Sequence, residues 1–182
     1  VWIDCEDTFK PRRLKEIMLA RELATGENVD EKLANVRYYY TPNTEQLLGT
    51  VDSLSKLMLE IHPRIVILDG AIGQFREEYL GRGTLSERQN QIARLMTHIK
   101  NISFYFRCVV LFTNQVQSDP SVMFGDPIKP IGGNIVAHAS TYRVYLKKSG
   151  KKRIARMIDS PEHEQKDAAY QLTVKGIEDA EK

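Results

Sequence analysis

At 182 residues, 42% hydrophobic and 27% charged, the chain has the composition of a soluble globular protein and the length of one ordinary domain. A net charge of +2 forces no partner on the chain as a whole, and no apolar run approaches the roughly 20 residues of a membrane helix. Cys5 and Cys108 adjoin predicted strands without metal-ligand spacing, which points to small buried residues in a reducing compartment rather than to a disulfide or a zinc site.

The chain opens inside a strand pattern, Val1-Trp2-Ile3-Asp4, so further sequence is expected upstream. Pro11 suits the first turn of a helix. Leu14, Ile17, Met18 and Leu23 supply its apolar stripe, and Gly26 its stop. Val36 to Tyr40 predict a second strand. Thr41-Pro42 predicts a cap, and Leu47, Val51, Leu54, Met58 and Ile61 follow at helical spacing. The run Ile65 to Asp69, IVILD, is β-branched and ends in an acid. Thr84 and Glu87 form a capping-box pattern ahead of Leu85, Ile92, Leu95, Met96 and Ile99. The run Val109 to Gln115, VVLFTNQ, closes the series. Apolar runs of this kind predict strands buried on both faces, and their alternation with helices predicts a parallel sheet with right-handed crossovers.

The last third differs. Ser118 to Gly133 is rich in proline and glycine and predicts a long loop. Thr141 to Lys147, Arg153 to Asp159 and Ala168 to Val174 then predict three strands, the first two joined by a turn at Ser149-Gly150. The fold class is therefore α/β: a mostly parallel twisted sheet with flanking helices and C-terminal antiparallel strands.

Open α/β sheets bind ligands beyond the carboxyl ends of their strands. Three strand ends deliver Glu6, Asp69 and Gln115 to one edge. Two acids and an amide there suit phosphate, Mg²⁺ and water. Glu6 in Asp4-Cys5-Glu6-Asp7 could polarise a water for attack on phosphate, although a solvated acidic turn capping the next helix fits the same residues. Asp69 could help to hold Mg²⁺, but an acid ending a buried strand is common. Arg76, Arg82 and Arg88 flank a helix start, with Arg82 between Gly81 and Gly83. That arrangement suits a nucleic-acid backbone, and equally a solvated loop. The basic run from Lys147 to Arg153 fits a solvated hairpin tip or an extension of a basic surface. His138 by itself fits a structural histidine, and His62, His98 and His163 show no ligand spacing.

Several long motifs carry a resemblance. Trp2-Ile3-Asp4-Cys5-Glu6-Asp7-Thr8-Phe9-Lys10-Pro11-Arg12-Arg13-Leu14 resembles the strand and turn after the phosphate-loop helix of RadA-type recombinases. Phe75 to Gln89, Thr113-Asn114-Gln115-Val116-Gln117, Phe124 to Asn134, Ala137-His138-Ala139-Ser140 and Arg153-Ile154-Ala155-Arg156 continue the resemblance in family order, nearly end to end. It implies that residues 1–182 form a truncated RecA-like ATPase core, following a phosphate loop and an N-terminal domain that these residues do not contain.

The resemblance also implies roles. Glu6 would activate the attacking water, Gln115 would sense the γ-phosphate, and Asp69 would be the Mg²⁺-binding acid. Arg13 would contact adenine. His138 and Asp159 would reach the nucleotide of a neighbouring subunit, with Asp159 near a bound monovalent cation. Arg82 would lie in the first DNA-binding loop and Ser118 to Ile131 would form the second, with Arg76, Gln117, Gly132 and Gly133 also binding DNA. Such proteins use ATP and Mg²⁺, form helical filaments on single-stranded DNA, engage double-stranded DNA and promote homologous pairing and strand exchange in recombinational repair. They need no membrane, and work in the cytoplasm or, in eukaryotes, the nucleus.

Two departures stand out. The family usually has Ser after the Mg²⁺-binding acid, where this chain has Gly70-Ala71-Ile72-Gly73. A Leu-Pro-Glu segment usually follows the Asp-Ser-Pro of positions 159–161, where this chain has Glu162-His163-Glu164-Gln165-Lys166. These changes leave open a non-catalytic paralogue acting as a filament mediator; Glu6, Gln115 and His138 favour the ATPase. An unrelated dinucleotide enzyme is disfavoured, since no G-x-G-x-x-G follows a strand.

Overall fold

The computed structural model describes residues 1–81, 83–118, 128–150 and 152–180. In chain order the elements are β1 (Trp2–Asp4), α1 (Pro11–Ala20), α2 (Val29–Leu33), β2 (Tyr38–Tyr40), α3 (Thr44–Ile61), β3 (Ile65–Asp69), α4 (Ala71–Glu78), α5 (Leu85–Phe106) and β4 (Val109–Phe112). They continue with β5 (Val116–Ser118), β6 (Ile128–Pro130), α6 (Gly133–Ala139), β7 (Arg143–Ser149), β8 (Lys152–Asp159), β9 (Asp167–Thr173) and β10 (Gly176–Asp179). They fall into two compact units, residues 1–9 with 37–139 and residues 10–36 with 140–182.

The first unit is built on a parallel sheet in the order β2-β1-β3-β4. Ile3, Val66 and Leu68 point from one face into a core with Leu47, Leu54 and Met58 of α3, Ile72 and Phe75 of α4, and Ile92, Leu95 and Ile99 of α5. Of the stripes expected from the helical spacing, Leu47, Val51, Leu54 and Met58 of α3 and Ile92, Leu95, Met96 and Ile99 of α5 are buried, whereas Ile61 is half-buried and Leu85 is exposed at the start of α5. Burying a Leu, Ile, Met or Phe side chain stabilises by roughly 1.5–3 kcal/mol, so this face dominates the unit's stability.

The expected burial on both sheet faces is not found. Ile65, Val109 and Leu111 are 40%, 61% and 46% exposed on the face away from these helices. A β-branched run carries apolar side chains to both faces, so the pattern could not tell which face was covered. Near β1 that second face is sheltered locally. The chain after β1 folds back so that Phe9 lies between Trp2 and Tyr38, with ring centroids 4.7 and 5.3 Å away.

Two helix starts differ from the expected caps. The cap of α3 is Asn43, whose Oδ1 accepts from the Gln46 amide at 2.9 Å, and Glu78 accepts from the Thr44 amide at 2.8 Å. Thr41 is instead buried, its hydroxyl 3.3 Å from the Cys5 sulfur. At α5 the Thr84 hydroxyl donates backward to the Leu80 carbonyl at 2.8 Å, so the expected capping box is not made. Helix α1 ends at Ala20, before Leu23 and Gly26.

The second unit holds an antiparallel sheet, β10-β9-β8-β7, with β7 and β8 joined as the hairpin expected from Ser149-Gly150. Helix α1 has no buried residue. Its Ile17 packs on Gly176, and arginines tie it to the turn between β9 and β10. Arg13 donates to the carbonyls of Thr173 and Val174, and Arg21 to those of Lys175 and Ile177 at 2.5 and 2.6 Å. Among the described residues, no helix is long and apolar enough to cross a membrane.

Candidate active site

Parallel register brings the carboxyl ends of β1 and β3 level, with Asp4 opposite Asp69. The residues that follow each strand form the site. The Cys5 amide donates to the Asp69 carbonyl and the Thr113 amide to the Leu68 carbonyl, extending the ladder one step beyond the strands. The expectation that Glu6, Asp69 and Gln115 share one edge holds in the geometry: Gln115 Nε2 donates to Glu6 Oε1 at 2.9 Å.

Asp69 lies among hydroxyls. Thr113 Oγ1 donates to its Oδ1 at 2.6 Å and accepts from the Gly70 amide at 2.9 Å. Thr8 Oγ1 donates to Asp69 Oδ2 at 3.3 Å. Among the described residues, no group of three or more His, Cys, Asp or Glu gathers as a metal cage. A single carboxylate flanked by hydroxyls fits Mg²⁺, which commonly binds one or two carboxylates and completes its shell with water and substrate phosphates.

Asp4 is a structural acid that strand patterning did not single out. It is fully buried, and its carboxylate accepts from the amides of Glu6 and Phe9 at 3.0 and 2.8 Å and from the Tyr38 hydroxyl at 3.3 Å. Burial pushes its pKa up, but the backbone amides of Phe9, Glu6 and Thr8 and the Tyr38 hydroxyl outweigh it and hold the group below the usual carboxylate range. Cys5 behaves as the expected buried thiol. Burial, reinforced by the carboxylates of Asp4, Asp69 and Glu6 against the Thr41 hydroxyl, pushes it up to about 11.

Gly70 gives the site its shape. Its φ is +77°, and a Cβ placed there would lie 2.5 Å from Glu6 Cγ. Any side chain would therefore move Glu6. The long loop expected from Ser118 to Gly133 has strands at its ends. Strands β5 and β6 form an antiparallel ribbon, with Gln117 opposite Lys129. The Ile131 amide donates to the Gln115 carbonyl at 3.0 Å, and Asn114 Nδ2 donates to the Ile131 carbonyl at 2.7 Å. Both ends of the ribbon are thus tied to the end of β4. The segment between them, 119–127, lies outside the described residues, as does Arg82.

The other expected residues sit as follows. Arg76 is exposed in the last turn of α4. Gly132, at φ +88°, is a packing position: a Cβ there would lie 2.4 Å from Val136 Cγ2, at the turn into α6. Gly133 begins α6, and His138 is exposed in its last turn. In the second unit, Arg13 engages the carbonyls of Thr173 and Val174, and Asp159 pairs with Arg143 at 2.8 Å. Thr113, which orients Asp69, had a sequence signal: it begins the polar tail of the β4 run. Thr8 had none, because its approach depends on the fold-back of residues 5–9.

A parallel sheet flanked by helices, with two acids and a glutamine converging at its carboxyl edge, and an antiparallel C-terminal sheet define an α/β protein with a ligand site at the sheet edge. The Rad51 family model matches residues 1–180, and the chain belongs to that family. Proteins described as DNA repair and recombination protein RadA are similar to it. That of Cenarchaeum symbiosum is 40% identical over 182 residues, covering 100% of this chain and 45% of the relative. Those of Methanocorpusculum labreanum and Methanoculleus marisnigri are each 39% identical, covering 97% of this chain and 57% of the relative. The chain thus spans about half the length of the relatives it matches.

Proposed function

We propose that the chain is the catalytic-edge portion of an ATP-dependent DNA recombinase that forms filaments on single-stranded DNA and promotes pairing and strand exchange with double-stranded DNA. The observation that carries the reading is the contact between Glu6 and Gln115 at 2.9 Å, beside Asp69 and at the root of the β5–β6 ribbon. The names of the relatives, DNA repair and recombination protein RadA, supply the biological setting.

In this reading Glu6 accepts a proton from the water that attacks the γ-phosphate. Gln115 donates to the γ-phosphate, exchanging its Glu6 partner for the nucleotide. Its backbone tie to Ile131 passes that exchange to the ribbon. Asp69, oriented by Thr113 and Thr8, is the residue that would hold Mg²⁺, which supplies charge neutralisation across the phosphates when bound. Arg13 serves the adenine, and His138 and Asp159 a neighbouring subunit's nucleotide, with a monovalent cation at Asp159. Arg76, Arg82, Gln117, Gly132 and Gly133 serve DNA. The 182 residues contain no G-x-x-x-x-G-K-[ST], so the activity belongs to a full-length protein in which a phosphate loop accompanies them.

The test is Glu6→Gln in that full-length protein. Turnover should fall roughly 10²-fold or more while ATP and DNA binding persist. Loss of ATP binding with a normal rate per bound ATP would make Glu6 a structural cap instead.

A further inference from the structure

Gln74 is the polar member of the buried face of α4, 7% exposed beside the fully buried Phe75 and Ile72. A buried amide is unfavourable unless its hydrogen bonds are made. Its Nε2 donates twice, to the Thr41 carbonyl at 2.5 Å and to the Cys5 carbonyl at 3.2 Å. Two carbonyl acceptors determine which end of the amide is nitrogen. Its Oε1 is buried without a partner, which an apolar side chain of the same size would avoid. The nitrogen's two contacts must therefore supply the reason for an amide here.

Those contacts fall where the sheet stops organising the backbone. Cys5 is the first residue past β1, and its carbonyl belongs to the peptide that leads into Glu6. The other end of that peptide, the Glu6 amide, donates to Asp4 Oδ1 at 3.0 Å. A peptide group is planar. Held at its oxygen by Gln74 and at its N–H by Asp4, it has one orientation, and so has the Cα from which the Glu6 carboxylate reaches Gln115. The Thr41 contact anchors the same amide to the end of β2, so Gln74 is itself braced against a second strand.

We propose that Gln74 is the positioning residue for Glu6, aiming its carboxylate by clamping the Cys5–Glu6 peptide. This rests on the reading that Glu6 activates the attacking water. Misplacing a reacting group by about 1 Å can lower a rate by about 10²-fold.

The experiment uses Gln74→Met, which keeps length and volume and removes both donors, in the full-length protein with and without Glu6→Gln. Gln74→Met should lower kcat about tenfold or more with the KM and Kd for ATP unchanged. In the Glu6→Gln background it should cause no further loss, because a residue that acts through Glu6 has nothing left to aim. Amide hydrogen exchange across residues 5–9 should accelerate in the variant. Equal losses in both backgrounds, or an unchanged kcat with unchanged exchange, would overturn the assignment. If Glu6→Gln alone leaves kcat intact, the water-activation reading fails, and the exchange measurement still decides whether Gln74 clamps the strand end. Should Gln74→Met not fold, Gln74→Leu replaces it, an apolar side chain that likewise removes both donors, with the same outcomes.

Discussion

A Cβ placed on Gly70 would lie 2.5 Å from Glu6 Cγ and 2.6 Å from Glu6 Oε1. The space at Gly70 is thus the space that the Glu6 side chain fills. Two constraints coincide at one residue: a left-handed φ of +77° and the absence of a side chain. Glu6 reaches Gln115 because both are met.

Gly70→Ser is accordingly expected to act twice. The left-handed backbone should cost roughly 1–2 kcal/mol, seen as a lower midpoint in chemical denaturation. The displaced carboxylate should also release Gln115, shifting the side-chain amide resonances of Gln115 in selectively labelled protein. Resonances that stay in place while stability falls would mean that Glu6 reaches Gln115 without the space at Gly70.

Gln115 joins the Glu6 carboxylate through its side chain and Ile131 through its backbone. Nucleotide and DNA should therefore favour each other's binding, and reciprocally so. In the full-length protein, Gln115→Ala should leave nucleotide affinity nearly intact and abolish DNA stimulation of the ATPase. Single-strand DNA affinity, measured with ADP and with a non-hydrolysable ATP analogue, checks this. The analogue should tighten binding for the wild type and not for the variant. Persisting stimulation with lowered stability would reduce Gln115 to a strand-end plug.

Asp4 sets an acid limit. Its folded-state pKa lies below the ordinary value, so protons bind the unfolded chain more readily. The resulting stabilisation is complete above the unfolded-state value of about 3.9 and is lost as pH falls toward the lower folded-state value. Asp4→Asn should lower stability by about 1–3 kcal/mol near neutral pH, since its amides from Phe9 and Glu6 lose a charged acceptor. It should also flatten the fall in stability below about pH 4. Denaturation curves for the two proteins that stay parallel through this range would contradict the assignment.

The 182-residue chain alone lacks the backbone cradle and lysine that grip β- and γ-phosphates. It is expected to hydrolyse no measurable ATP and to bind nucleotide very weakly. Calorimetric titration with Mg-ATP tests this, and micromolar affinity would place phosphate binding on residues other than a phosphate loop.

Linear spacing alone determined the alternation of strand and helix through Gln115, most of the α3 and α5 stripes, the C-terminal hairpin and the place of Glu6, Asp69 and Gln115 at or just past strand ends. These depend on period and on where an apolar run stops, and both are local properties of the chain. Tertiary structure decided the rest. Which sheet face is covered depends on where α3, α4 and α5 pack, so Val109 and Leu111 read as buried yet lie exposed. The short elements α2, α4, β5, β6 and β10 hold too few residues to show a period. Thr84 could cap forward or bond backward, and only the path of the preceding turn selected the Leu80 carbonyl. Asp4, Gly70 and Gln74 acquire their roles across separations that no local pattern spans. A carboxylate, a missing side chain and a buried amide meet around one peptide only because parallel register brings β1, β2 and β3 to a common edge.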